Sequence, residues 1–347
     1  MVMFRNLEIL ENVNLGEMTT MRLGGGARFL AKVNNLAQAQ QALDFAQNQH
    51  LPLFILGGGS NTIVRDEGFQ GVVIKNEILG REVIDEDEGS VIFRLGSGEN
   101  WDDFCQWAVR EKGLSGCEAM ALIPGTVGAL PVQNVGAYGQ ETVAIFEGCE
   151  ALNLETGEME EFSKEDCQLG YRTSIFRTTA FGKYFITAVK LKLSKKQQKI
   201  PLYFSVAEYF AQKNINPETA TPLDIMRAVI YLRKEKLPEP REIPSAGSFF
   251  KNVELSKNEA NDFRKRFPEA PIFEESEKWK IPTGWLIDNA GLRGKIIHGM
   301  RPHDKNALIL TNISAQNYQD LARARAEIQQ AVKDKFGFEI EQEPLEI

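Results

Sequence analysis

The spacing of apolar and polar positions predicts many strands in the first two thirds of the chain. Apolar Leu36, Ala39, Leu43 and Ala46 recur at helical spacing and predict a surface helix at 36–49. An acidic turn is expected at 84–88, and Asn100 is expected to cap a helix that ends at Arg110. Short apolar or alternating runs predict strands at 53–56, 71–75, 91–95, 144–154, 160–162 and 185–193.

Beyond a polar linker at 194–200, the pattern turns helical. Thr221, Pro222 and Asp224 combine an N-cap, a proline at the first helical position and a capping-box carboxylate. Helices are expected at 221–237, 257–267 and 316–336, with strands at 307–311 and 338–340. Strand-rich and helix-rich parts in one chain predict the α+β class.

Two glycine-rich stretches are candidates for binding a ligand through backbone groups. Residues 120–140 carry no charge in a protein that is 25% charged, and their glycines permit close approach to a flat group. The segment Gly57-Gly58-Gly59-Ser60-Asn61 follows a strand, the arrangement that forms an anion-binding nest of backbone N–H groups. The alternatives are a buried loop that supports the core for the first stretch and a tight turn for the second.

Length, charge and cysteine usage exclude several classes of protein. A chain of 347 residues is expected to form two or three domains. A net charge of −8 without a basic block argues against nucleic acid or an anionic membrane as the partner. Four cysteines without a C-x-x-C pair predict reduced thiols in a cytoplasmic protein and no metal site, and no signal peptide is expected at the N-terminus.

Three polar residues offer chemistry, each with a plainer alternative. Ser248 lies beside Gly247, but the three histidines of the chain are distant in sequence, so it suits proton donation better than nucleophilic attack. Arg172 follows Gly170 and Tyr171 and would suit a carboxylate clamp or an ordinary surface ion pair. Glu343 lies in an acidic tail and, from the residues alone, is expected to be solvated.

Read in order, the motifs resemble the UDP-N-acetylenolpyruvoylglucosamine reductase family over nearly the whole chain. They are LGGGSN (56–61), ALIPGTVGALPVQNVGAYGQE (121–141), GYRTSIF (170–176), KLPEP (236–240), AGSFFKN (246–252), GWLIDNAGLRGK (284–295) and HDKNALIL (303–310). The resemblance implies a vanillyl-alcohol-oxidase-like FAD-binding fold in two subdomains, with a C-terminal α/β substrate-binding domain. The implied boundaries are 1–78, 79–237 with the tail 337–347 returning to it, and 238–336.

The resemblance also implies an activity and its residues. NADPH would reduce bound FAD, which would then reduce the enolpyruvyl group of UDP-N-acetylglucosamine enolpyruvate in a cytoplasmic, monomeric enzyme. Arg172, Ser248 and Glu343 match the family's catalytic positions, with Ser248 as proton donor. The cofactor-binding positions implied are Leu56, Gly57, Gly58, Gly59, Ser60, Asn61, Ile123, Pro124, Gly125, Thr126, Val127, Gly136, Ala137, Tyr138 and Gly139. The substrate-binding positions implied are Tyr171, Tyr203, Lys236, Asn252 and Asn306, with Tyr209 as the rival of Tyr203.

Three departures from the family's pattern accompany this resemblance. Val253 stands where the family commonly has proline, Asn306 where some members have glutamine, and the tail reads PLEI after Glu343 where the family usually adds a strand. Two other functions compete with the reductase. A flavin oxidase would share the cofactor fold but need a different substrate lid, and a non-catalytic nucleotide-sugar-binding protein would lack a filled flavin site.

Overall fold

The computed structural model describes residues 2–4, 7–197, 203–275 and 278–347. Backbone contacts group them into two compact units. The first unit comprises 1–13, 27–58 and 70–235, and the second comprises 14–26, 59–69 and 236–347. The chain therefore passes five times from one unit to the other, and one of these passages separates Gly58 from Gly59 within the GGGSN segment.

Two five-stranded sheets form the frame of the first unit. One has the order β1-β2-β3-β6-β4 and the other, which is antiparallel throughout, the order β12-β11-β13-β8-β7, while β9 and β10 form a small hairpin. Their bounds are β1 Val2–Phe4, β2 Leu7–Asn14, β3 Gly26–Val33, β4 Leu53–Leu56, β6 Phe69–Asn76, β7 Arg81–Glu86, β8 Ser90–Gly96, β9 Gly136–Ala137, β10 Gln140–Glu141, β11 Phe146–Asn153, β12 Met159–Ser163 and β13 Tyr184–Ser194.

Four helices cover apolar faces of the first unit. They are α1 Leu36–Asn48, α2 Trp101–Arg110, α3 Phe204–Lys213 and α4 Pro222–Lys236. The side chain of Asn100 accepts from the Asp103 N–H at 3.0 Å, so α2 begins at the predicted cap. The inner face of α2 is apolar at helical spacing, and it buries Trp101 and Phe104 against Phe93 of β8.

The second unit is built from short strands around one apolar core. Its sheets have the orders β14-β19-β18 and β15-β17-β16, and β20 pairs in parallel with β5. The core includes Phe249, Phe250, Leu321 and Ile328. The bounds are β5 Thr62–Ile63, β14 Ser245–Ser248, β15 Val253–Leu255, β16 Phe273–Glu275, β17 Lys278–Ile281, β18 Met300–Pro302, β19 Ile309–Asn312, β20 Leu345–Glu346, α5 Lys257–Arg266, α6 Thr283–Asn289 and α7 Tyr318–Phe336.

Most predicted elements are present, but two expectations are wrong and two helices have no counterpart among the predictions. Strand β7 extends into the acidic segment 84–88. It is the edge strand of its sheet and all its residues are exposed, so its acidic side chains stay in solvent. No strand forms at 338–340; this part of the tail passes α7, where the Gln329 amide donates to the Ile340 carbonyl at 2.8 Å. Helices α3 and α6 were not predicted. Part of the linker 194–200 lies outside the described residues.

Neither a membrane-spanning helix nor a metal-binding cluster is found in the described part of the chain. None of its helices is long and apolar enough to cross a lipid bilayer. Within the same residues, no three His, Cys, Asp or Glu side chains are grouped so that they would hold a metal ion. The cysteines described, Cys105, Cys117, Cys149 and Cys167, are free thiols, and all four are buried.

Candidate active site

The structure brings the two glycine-rich stretches together within the first unit. A Cβ atom added to Gly58 would lie 2.8 Å from Cα of Gly125, and one added to Gly57 would lie 2.7 Å from Oγ1 of Thr126. Real Cβ contacts of this length essentially never occur, so a side chain at Gly58 would have to move backbone, whereas one at Gly57 would have to move the Thr126 side chain. The glycines therefore allow two loops to touch through bare backbone, as the cofactor-cradle interpretation requires.

Backbone hydrogen bonds hold the Gly125 loop at the start of α2. The Trp101 N–H donates to the Gly125 carbonyl at 3.1 Å, and the Val127 N–H donates to the Glu99 carbonyl at 2.9 Å. Gly125 has a φ of 126°, a left-handed conformation that favours glycine. The loop is thus fixed by the helix that Asn100 caps, although nothing in the loop itself is charged.

Two cations of the first unit were not singled out as ligand-binding residues from the sequence. The ammonium of Lys75, in β6, donates to the carbonyl of Gly57, and burial lowers the pKa of Lys75. The guanidinium of Arg233, in α4, donates through Nη2 to the Leu122 carbonyl at 3.2 Å, and burial lowers its pKa. Nε of Arg233 is buried without a hydrogen-bond partner among the described residues.

The segment 136–141 forms a β-hairpin whose turn has two residues. Ala137 pairs with Gln140, and the two turn residues Tyr138 and Gly139 have positive φ angles of 49° and 84°. These angles are those of a type I′ turn, which connects hairpin strands tightly. The ring of Tyr138 packs edge-on against Tyr203 at a centroid distance of 5.6 Å, so the hairpin holds this residue in a strained but defined position.

Arg172 lies against the same hairpin. Its guanidinium donates to the carbonyl of Gly136 at 3.0 Å and to that of Asn134 at 3.4 Å. Its φ is 52°, which is uncommon for arginine, in a tight turn that Gly170 and Thr173 close through two backbone hydrogen bonds. Fixing one face of the guanidinium on carbonyl groups orients the arginine, and such outliers cluster at functional sites.

The second unit places Ser248 at a β-bulge. Ser245 pairs with Thr311 and Ser248 with Ile309, so three steps along β14 correspond to two along β19. Gly247 takes the extra position with a φ of 71°. Ser248 is half-buried, and its hydroxyl makes no hydrogen bond within the described part of the chain. A bulge that redirects a serine in this way suits a group that donates to a ligand.

Glu343 is buried beside that strand, contrary to the expectation from its acidic surroundings. Its residue is 8% exposed, and its N–H donates to the Phe249 carbonyl at 2.9 Å. The Lys251 N–H donates to the Glu341 carbonyl at 2.9 Å, so the tail pairs along residues 249–251. The second unit therefore pairs Glu343 with the residue that follows Ser248, which the acidic composition of the tail could not indicate.

The two asparagines of the predicted substrate site both lie at the start of α6. Oδ1 of Asn252 accepts from the Thr283 N–H at 3.1 Å. A Cβ atom on Gly284 would lie 3.4 Å from Oδ1 of Asn306, whose oxygen also accepts from the Leu308 N–H at 3.2 Å. Lys236 is the exposed last residue of α4. Tyr171 is half-buried, with its ring 5.4 Å from the Arg172 guanidinium.

The residues of these two loops fit an FAD cofactor in chemical terms. The loops that touch through Gly57, Gly58 and Gly125 provide bare backbone for a diphosphate and a flat ring. Lys75 donates to one of these loops, and the buried Nε of Arg233 has no acceptor among the residues that the structure describes. An anionic or carbonyl-bearing group bound at either cation would offset the cost of burying that charge.

Comparisons with known proteins define the class and then the family. Residues 27–163 match the FAD binding domain model, and residues 239–347 match the model described as UDP-N-acetylenolpyruvoylglucosamine reductase, C-terminal domain. These two matches define a flavin-dependent oxidoreductase of α+β class, with an FAD-binding part followed by a C-terminal domain. They confirm the predicted fold class and cofactor.

Named relatives extend the match over the whole chain. The UDP-N-acetylenolpyruvoylglucosamine reductase of Burkholderia orbicola (strain MC0-3) is 40% identical over 98% of this chain and 97% of its own. That of Flavobacterium johnsoniae is 37% identical over 97% of this chain and 99% of its own. The crystal structure of the Thermus caldophilus reductase matches with a TM-score of 0.65 at 25% identity, covering 99% of both chains. The chain belongs to the UDP-N-acetylenolpyruvoylglucosamine reductase family.

Proposed function

We propose that this protein reduces the enolpyruvyl group of UDP-N-acetylglucosamine enolpyruvate to give UDP-N-acetylmuramate, with NADPH as the electron donor. The observation that carries the proposal is the pairing of the tail with residues 249–251, because it buries Glu343 beside the segment that follows Ser248. The relatives that bear the reductase name match over nearly their full length, which supports the same substrate. The proposed enzyme is cytoplasmic and monomeric.

The reaction adds a hydride and a proton across the carbon–carbon double bond of the vinyl ether. FAD, when bound, supplies the hydride chemistry, with NADPH oxidised to NADP⁺ in exchange. Hydride addition at the terminal carbon places enolate charge on the carboxylate side, which Arg172 would neutralise. Ser248 would deliver the proton to the adjacent carbon, and Glu343 would act with it. The product carries two new C–H bonds and a saturated lactyl ether.

The cofactor would be held mainly by backbone groups. Residues 56–61 and 123–127 would bind its diphosphate and line its ring, and residues 136–139 would support the ring from the hairpin. Lys75 and Arg233 supply the local positive charge that an anionic cofactor requires in a protein of net charge −8.

On the substrate side, Lys236 would bind the diphosphate, and Tyr171, Asn252 and Asn306 would bind the sugar and its attachments. Tyr203 is favoured over Tyr209 as the tyrosine that covers the substrate. Tyr203 is 50% exposed and packs on Tyr138. Tyr209 instead packs on Tyr231 at 5.1 Å, next to an apolar cluster.

An anaerobic absorbance experiment tests the whole proposal. Purified protein should show a flavin band that NADPH bleaches and that UDP-N-acetylglucosamine enolpyruvate restores without oxygen. A band that returns only when oxygen is admitted would identify a flavin oxidase. A protein without a band, even after FAD is added, would be a nucleotide-sugar-binding protein, and either result would overturn the proposal. Light scattering during size-exclusion chromatography tests the monomer.

A further inference from the structure

The C-terminal tail of the second unit is paired on two sides. Residues 341–343 pair with 249–251, as described above. Two residues further on, the Leu345 N–H donates to the Asn61 carbonyl and the Ile347 N–H donates to the Ile63 carbonyl, both at 2.9 Å. Strand β20 thus pairs with β5, the strand that directly follows the GGGSN segment. Glu343 is the last residue of the first paired stretch, and Pro344 alone separates it from the second, so both stretches decide where the Glu343 carboxylate points.

The second paired stretch is fixed by Glu346. Its carboxylate accepts from Arg65 Nη2 at 2.7 Å, from Arg325 Nη1 at 2.5 Å and from the Tyr318 hydroxyl at 2.8 Å. The side chain of Glu346 is 15% exposed and that of Arg325 is 21% exposed. Burial alone would raise the pKa of Glu346, but the hydrogen bonds from Arg325, Arg65 and Tyr318 outweigh it, so the pKa is lowered and the carboxylate is ionised.

Arg325 also connects this carboxylate to the residue before Glu343. Its Nη1 donates to Oε1 of Gln342 at 2.6 Å, and the Gln342 amide donates to the Pro344 carbonyl at 2.9 Å. One guanidinium therefore contacts the tail both before and after Glu343. Arg325 and Tyr318 belong to α7, a helix of 19 residues whose inner face is packed in the core of the second unit. Contacts with Arg325 therefore anchor the tail to helix α7.

We propose that Glu346 is a positioning residue for catalysis, which acts by holding the tail so that the Glu343 carboxylate takes its working orientation. This inference rests on the proposed function of Glu343. It explains how the residues PLEI after Glu343 hold the glutamate in place. The second paired stretch and the Glu346 cluster, defined as Arg65, Tyr318, Arg325 and Glu346, take that role in this chain.

Matched control variants exist in the same region. Glu339 lies in the same tail and forms an exposed ion pair with Lys333 at 2.6 Å. Arg323 lies on α7, two residues before Arg325, and pairs with Asp320 at 2.6 Å. Neither pair touches residues 342–347. Glu339→Gln and Arg323→Ala therefore remove a charge and an ion pair from the same elements without disturbing the Glu346 cluster.

The experiment separates the two half-reactions in the FAD-loaded enzymes. Stopped-flow absorbance gives the rate at which NADPH bleaches the flavin band and the rate at which the enolpyruvyl substrate restores it. In Glu346→Gln the bleaching rate should stay within about twofold of the wild type, while restoration by substrate should slow at least tenfold, because a misplaced catalytic group loses about one to two orders of magnitude. Glu339→Gln and Arg323→Ala should match the wild type in both rates.

A second variant keeps the test decisive when Glu346→Gln does not fold. Gln342→Ala removes the contact between Arg325 and the residue next to Glu343 but leaves every charge in place, and it should slow restoration selectively as well. Equal restoration rates in wild type, Glu346→Gln and Gln342→Ala would overturn the positioning role. Slowing of both half-reactions together would also overturn it. If the wild type itself is not restored by substrate, the proposed function fails first, so the two failures are distinguishable.

Discussion

Glu343 donates its backbone N–H to the carbonyl of Phe249 at 2.9 Å, one residue after Ser248 in the chain. This bond joins two segments that are almost a hundred residues apart in sequence. It buries an acidic residue whose neighbours Glu341 and Gln342 are more exposed. Burial distinguishes Glu343 from the exposed carboxylates Glu339 and Glu341 of the tail, and it favours Glu343 as the one with a chemical role.

Replacing Ser248 should affect one half of the reaction. Ser248→Ala removes the hydroxyl that the bulge at Gly247 presents, so proton delivery to the substrate should slow by roughly 10²–10⁴-fold, the usual contribution of general acid catalysis. The rate at which NADPH bleaches the flavin should not change. Stopped-flow absorbance measures both rates.

The control for this variant is Ser314→Ala, which removes an exposed serine of the second unit. It should retain both wild-type rates. Turnover of Ser248→Ala at the wild-type rate with the enolpyruvyl substrate would remove Ser248 from the mechanism.

Adding one methyl group to the glycine loop should weaken FAD binding. A Cβ atom at Gly58 would lie 2.8 Å from Cα of Gly125, and backbone on both sides leaves little room for adjustment. Gly58→Ala should therefore separate the two loops and weaken FAD binding at least tenfold, which corresponds to about 1.4 kcal/mol. Fluorescence titration of the FAD-free protein measures the dissociation constant without reference to turnover.

Gly89→Ala is the matched control, since its added Cβ would have one near neighbour, Oδ1 of Asp87 at 3.6 Å. This variant should bind FAD as the wild type does. Wild-type affinity in Gly58→Ala would show that the contact of the two loops does not shape the cofactor site.

The buried cysteines should be inert in the folded protein. A hydrogen bond to Cys117 and burial raise the pKa of the Cys105 thiol, and a hydrogen bond to Cys167 and burial raise the pKa of Cys149. Because the thiolate is the reactive form, an aromatic disulfide reagent should modify none of the four thiols at mildly alkaline pH. After unfolding in guanidinium chloride it should modify all four. Rapid reaction of a thiol in the native protein would contradict the buried placement.

The sequence predicts elements whose causes are local. The cap at Asn100, the capping box at Thr221 and Asp224, and the glycine loop each depend on residues a few positions apart, and all three are present. Arg65 and Glu346 are separated by 281 positions, and no period or motif brings them together before the fold is known. Lys75 and Arg233 were overlooked as ligand-binding residues for the same reason, since only the fold places them at Gly57 and Leu122.

The local sequence around a site residue does not show what that residue does. Glu343 was singled out through the family resemblance, because an acidic tail ordinarily predicts solvation. The structure accounts for its burial, whereas its catalytic role and the three-part division at 78 and 237 remain predictions. The assignment of Tyr203 rather than Tyr209 to the substrate likewise remains a prediction.

An ion pair across a central strand should make the stability of the first unit depend on acid pH. Arg94 in β8 and Glu150 in β11 lie on either side of β13 and form two hydrogen bonds at 2.7 and 2.5 Å. The hydrogen bond from Arg94 lowers the pKa of Glu150 below its ordinary value. A carboxylate with a lowered folded-state pKa contributes stability above its unfolded pKa of about 4.3, and that contribution is lost as the pH falls through the folded pKa.

Glu150→Gln should therefore lower the free energy of unfolding at neutral pH by about 1 kcal/mol or less, as expected for a partly exposed pair. The difference from the wild type should persist down to about pH 5 and shrink below about pH 4. Urea unfolding monitored by tryptophan fluorescence across this range measures it. Glu161→Gln serves as the control, because Glu161 is 74% exposed in its pair with Lys190 and should contribute little at any pH. A difference between Glu150→Gln and wild type that grows as the pH falls would contradict the assigned direction, since it would require a raised pKa in the folded protein.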